Sequence, residues 1–135
     1  EMMTADYGYA MVDDYPSLFE LAGQSKCTSE YIYVVPCAID GPSQNQWHMM
    51  AMPPDIDGLV QGWATVQSTW YFYDSFEPND TRKTYLIPEY TTGDGVIRNR
   101  ENPDQYLDLG PLPQKYEVDP AVPGSGGYSD LDIVV

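Results

Sequence analysis

The chain has 135 residues, room for about one domain. Its 21 acidic against 6 basic residues leave a net charge of −15, a surface that repels phosphate backbones and anionic lipid heads and excludes nucleic acid as a partner. The longest apolar run, "YIYVVPCAI", is far short of the ~20 residues that cross a bilayer, and "EMMTADYG" has neither the basic nor the apolar region of a signal peptide.

With 11 Gly and 12 Pro, the composition predicts short elements joined by long, stiff loops. The stretch "DDYPSLFELAG", Asp13 to Gly23, predicts a short amphipathic helix. Asp13 or Asp14 starts it, Pro16 is tolerated in its first turn, Leu18, Phe19 and Leu21 are apolar, and Gly23 stops it. "SEYIYVVP", Ser29 to Pro36, is rich in β-branched and aromatic residues and predicts a strand of about six residues closed by proline. Cys27 and Cys37 are the only thiols and lack CxxC spacing. The extended chain between them keeps their Cα atoms apart, which favours two free thiols over a disulfide. From Asp40 to Gln61, "DGPSQNQWHMMAMPPDIDGLVQ" has neither helical nor strand periodicity and holds three prolines, so a long loop is predicted, the kind that often carries function.

In "STWYFYDSFEPNDTRK", Ser68 or Thr69 caps a helix with an inward stripe of Trp70, Tyr73 and Phe76 and an i,i+4 pair of Phe72 and Phe76. Pro78 ends it, "PND" turns the chain, and Arg82 is expected to pair with Asp80 or Asp74. "TYLIPEY", "GVIRNR" and "PQKYEV" predict short strands separated by "TTGDG" and "NPDQ" turns. The apolar ending "LDIVV" predicts an incomplete segment, with an apolar face that needs covering. The fold class expected is α+β, a loop-rich chain of short helices and short antiparallel strands.

Catalysis is weakly signalled. Among 21 acids some carboxylate pair meets glycosidase spacing by chance, no G-x-S-x-G elbow is present, and the single His48 has no Asp or Cys at a telling spacing. "DIDG", Asp55 to Gly58, lacks the glycine position and closing Glu of an EF-hand, and no metal or cofactor is predicted. Aromatic surface remains. Trp47 is the first choice for a sugar-stacking platform and Trp63 the second, with Asn45, Gln46 and His48 as polar neighbours. A pyranose has C–H groups on one face and hydroxyls around its rim, so it needs a flat apolar ring flanked by neutral donors and acceptors, which "SQNQWH" supplies. On that reading Trp47→Ala weakens binding and leaves stability almost unchanged; the alternative is that Trp47 belongs to the core.

Taken in order, "DDYPSLF", "SEYIYVVP", "YDSFEPNDTRK", "PQKY" and "SDLDIVV" resemble the carboxy-terminal half of the SusD/RagB family of outer-membrane nutrient-uptake lipoproteins. The resemblance implies that residues 1–135 are a single SusD-like segment, incomplete at both ends and excised from a larger, mostly helical, tetratricopeptide-like fold whose lipid anchor lies outside it. It also implies a non-enzymatic, glycan-binding component at the cell surface, working beside a SusC-like TonB-dependent outer-membrane transporter. The acidic, aromatic helix end with its D-x-R is structural on this resemblance. The rivals are a structural or interaction segment that contacts the transporter without binding sugar, and a carbohydrate-active enzyme domain.

Overall fold

The computed structural model describes residues 7–24, 29–38, 41–117, 131 and 133–134. Asp14 leads into a 3-10 turn at Tyr15–Leu18, with Pro16 inside it; Leu18 and Phe19 are buried and Leu21 is exposed. The expected amphipathic helix is thus a single tight turn. Its neighbour β1 (Val34–Val35) is shorter than the six residues predicted, and residues 29–33 form no strand ladder with any described residue. They run instead beside residues 10–12, tied by Ala10 N–H to Ser29 O (3.0 Å) and Val12 N–H to the Glu30 carboxylate (2.7 Å). Cys37 Sγ donates to Val35 O at 3.5 Å; Cys27, and with it the disulfide question, lies outside the described residues.

The predicted long loop contains a helix, α1 (Trp47–Ala51). Its start is held from one residue upstream of the cap, where Asn45 Oδ1 accepts from Trp47 N–H at 3.0 Å. Its end is closed by residues 62–66 returning across it: Trp63, Val66 and Ala64 donate their N–H groups to Met49, Met50 and Met52 carbonyls. Those carbonyls are orphans of the last turn and satisfy themselves outside the helix. Gly62 makes this approach possible, since a Cβ there would stand 2.5 Å from Met49 O. Met52 turns extended before Pro53 and Pro54, which cannot continue a helix.

Helix α2 (Trp70–Asp74) follows its sequence reading at the cap: Thr69 is extended and its Oγ1 accepts from Phe72 N–H at 3.1 Å. A second 3-10 turn at Thr81–Tyr85 is capped by Asp80, whose carboxylate accepts from Arg82 N–H. Then come β2 (Leu86–Ile87), β3 (Glu89–Thr91), β4 (Ile97–Asn99), β5 (Leu112–Pro113) and β6 (Ile133–Val134). They form three antiparallel pairs, β1 with β6, β2 with β5, and β3 with β4. The β3–β4 hairpin turns through Thr92 to Gly95, with Gly95 at φ +84° donating to Thr92 O at 2.8 Å. The strand expected in "PQKYEV" is displaced: β5 ends where it was to begin, with Pro113 opposite Leu86.

Two apolar clusters result. Ala51, Met52, Ile56, Tyr90, Leu107 and Leu112 form one; Leu18, Phe19, Tyr116 and Leu131 form the other. Trp47 packs against both. The α2 stripe lies outside either cluster, and none of Trp70 to Asp74 is buried. Cations cover it instead: Arg100 lies 4.9 Å from the Trp70 ring centre, Lys83 4.3 Å from Tyr73 and Arg82 5.3 Å from Phe76. A helix this short offers too little apolar length to enter a core, and a ring quadrupole attracts a cation to its open face.

Candidate functional site

Residues 66–69 and the exposed side of α2 face the end of β5 at Pro113 and the segment after it that carries Lys115, leaving an open groove of about 1080 Å³. Trp47 and the aromatic rings of Tyr15, Phe72, Phe76 and Tyr85 line it, together with neutral polar side chains of Gln67, Ser68, Thr69 and Ser75. A second cavity, of about 370 Å³, is lined by Asn45, Gln46, Trp47, Met50, Lys115 and Tyr116 among others. Trp47 and Lys115 line both.

The Trp47 ring is fixed in place. Its Nε1–H donates to Pro113 O at 2.7 Å, and its edge meets Tyr116 with ring centres 6.4 Å apart. Asn45 is fully buried and positions the platform, donating from Nδ2 to Leu131 O while accepting from Trp47 N–H. Gln46 is half-buried, and its side-chain amide makes no hydrogen bond among the described residues, so it remains available to a ligand. His48 is buried away from both cavities, with Nε2 donating to Val60 O at 2.7 Å. Trp63 is exposed but lines neither cavity. The structure therefore gathers Asn45, Gln46 and Trp47 and separates His48 and Trp63 from them.

At the groove's far wall, Arg82 grips Asp80 with two nitrogens, Nη2 to Oδ2 at 2.5 Å and Nε to Oδ1 at 2.9 Å. Of the two partners expected for Arg82, the structure selects Asp80. Asp74 instead accepts from Arg100 at 3.0 Å. The Arg82 hydrogen bonds hold the Asp80 carboxyl below its usual range. Burial pushes the Tyr85 phenol up to about 12, with the Glu20 charge adding to it, and raises Tyr15 too. Both phenols therefore stay neutral at physiological pH, able to donate and accept.

Sequence reasoning missed most of the groove. The Trp70–Phe76 run drew attention, but Phe72 and Phe76 line a wall; Ser68 was marked only as a helix cap and Lys115 only within "PQKY", and no pattern marked Gln67. Comparison with protein-family models, with curated proteins and with solved structures found no match to this chain. Among the described residues no group of three or more His, Cys, Asp or Glu is arranged to hold a metal, and no helix is long and apolar enough to cross a membrane.

His48 gives the site's support a pH dependence. Its Nδ1 is buried without a hydrogen-bond partner among the described residues, and burial pulls its pKa below the ordinary 6.5, only partly opposed by the bond to Val60. The unfolded chain then takes up a proton that the folded chain refuses. Stability is complete above pH ~6.5 and falls as the pH drops from there toward the lowered folded value, at no more than about 1.4 kcal/mol per pH unit for one proton. The carboxylates with lowered values, Asp80 and Asp94, titrate further down, and His48 is the chain's one His. Urea midpoints at pH 7, 6 and 5 should decline, and His48→Gln, which keeps a donor for Val60 O, should flatten the decline. A wild-type midpoint that stays level through this range contradicts the assignment.

Proposed function

We propose that this chain is a non-enzymatic, glycan-binding part of an outer-membrane nutrient-uptake system that works beside a SusC-like TonB-dependent transporter, as the resemblance of its motifs to the SusD/RagB family implies. The observation that carries the reading is Trp47. A ring fixed by a 2.7 Å bond to Pro113 O lines two adjoining cavities, with a free amide at Gln46 on one side and Gln67, Ser68 and Thr69 on the other. Flat apolar area flanked by neutral donors and acceptors suits the two faces of a sugar ring. A groove of this volume has room for several rings.

Of the groove's two carboxylates, Glu77 and Asp80, the latter favours binding over hydrolysis. A glycosidase acid needs a raised pKa, whereas Asp80 is held low by Arg82. A second reading, a scaffold that contacts the transporter without sugar, is favoured by apolar residues left in water: Tyr71 at 85 % exposure and Trp63 at 51 %. Presenting the chain to an array of oligosaccharides, and assaying polysaccharide for new reducing ends, separates the three. The reading expects retention of a saccharide and no reducing-end release. Absence of binding across the array favours the scaffold, and release of reducing ends an enzyme.

A further inference from the structure

We infer that the saccharide this site takes is acidic, its carboxylate received by the Lys115 ammonium. The inference rests on the glycan-binding reading and names the class of sugar within it. Each of the three arginines has found a carboxylate: Arg82 with Asp80, Arg98 with Asp104 and Arg100 with Asp74. Lys115 has none among the described residues, in a chain where acids outnumber bases 21 to 6. Its nitrogen sits 4.5 Å from the centre of the Phe19 ring, a contact that holds the ammonium in place without neutralising it. Burial pulls its pKa down, the mark of a cation that has lost water.

The surroundings fit an anion better than the net charge suggests. Of the groove's two carboxylates, Asp80 is occupied by Arg82, and Glu77 belongs to the turn after α2. The smaller cavity shares Trp47 and Lys115 with the groove and has no carboxylate among the described residues of its lining. Glu20 and Glu117 meet Lys115 along a third, outer cavity, where neither reaches ion-pair distance and Glu117 accepts from Leu21 N–H. A half-buried lysine that lines the same cavity as a fixed indole and the Gln46 amide is a receptor for a ring that carries a charge. Hydroxyl rims satisfy Gln46, the C–H face covers Trp47, and a uronic carboxylate replaces the water Lys115 has lost.

The test is calorimetric titration of the 135-residue chain with a galacturonate hexamer, its fully methyl-esterified form and a neutral glucose hexamer, repeated on Lys115→Met and Lys115→Arg. Methyl esterification removes charge and leaves the ring unchanged. The inference expects the acid to bind at least about tenfold more tightly than its ester, as loss of a charge-assisted hydrogen bond implies. It expects Lys115→Met to erase that preference and Lys115→Arg to restore most of it, with both variants unfolding cooperatively near the wild-type midpoint. If ester and neutral hexamer bind as well as the acid, or Lys115→Met keeps the preference, the acidic-sugar inference falls and the glycan reading stands. If no hexamer binds and the oligosaccharide array is also blank, both fall together.

Discussion

Gly110→Ala is expected to lower the stability of the chain by about 3 kcal/mol, the upper part of the range for overpacking a close backbone contact. Gly110 is buried where the chain crosses the segment that starts α2. A Cβ there would lie 2.6 Å from Ser68 O and 2.6 Å from the Thr69 carbonyl carbon. Both are backbone atoms, with no rotamer to swing aside. The crossing is locked on either side, by Trp70 N–H to Leu109 O at 3.0 Å and Ser68 Oγ to Pro111 O at 2.5 Å. Pushing the strands apart therefore strains these bonds and shifts the Ser68–Thr69 wall of the groove. Urea unfolding measures the stability change. A loss under about 0.5 kcal/mol would mean that the crossing gives way without cost.

Trp47→Ala is expected to cost about 3 kcal/mol as well, which revises the sequence expectation that its removal leaves stability unchanged. The cause is position: Trp47 contacts both apolar clusters, so truncation opens a gap between them. Trp47→Phe keeps most of the packing and strands Pro113 O without its donor, and should cost about 1 kcal/mol. Comparable losses for the two variants would place the stabilisation in the hydrogen bond. A negligible loss for Trp47→Ala would return the ring to the surface. The half-buried setting joins the two readings of Trp47 left open by sequence, because the ring packs against both clusters while still lining both cavities.

The legible parts of the fold are those whose partners lie close in sequence. Thr69 caps the helix that begins one residue after it, and "TTGDG" turns a hairpin whose strands lie within about ten residues of each other; the helix itself ends at Asp74, with Ser75 as its C-cap, short of the Phe76 and Pro78 expected to close it. The illegible parts depend on distant chain. Helix α1 has no apolar periodicity because it is held by Asn45 before it and by residues 62–66 after it, and β1 meets β6 only across most of the chain. The α2 stripe misled for a related reason: helical spacing marks a shared face, while Arg82, Lys83 and Arg100, not a core, cover that face. At the site, "SQNQWH" identified Trp47 and its amide neighbour. It could not show that His48 turns inward to Val60, or that Lys115 comes to Trp47 from the far side of the sequence.

The central claim is that saccharide binds against Trp47, and the three indole N–H resonances of the chain test it directly, because Trp47, Trp63 and Trp70 each give one. Titrating the isotopically labelled chain with the saccharide that the array retains most strongly should shift the Trp47 signal progressively to saturation. The Trp70 signal, held on Leu107 O, and the exposed Trp63 signal should remain in place. A saturating shift confined to Trp63 or Trp70, with Trp47 unmoved, would contradict the account.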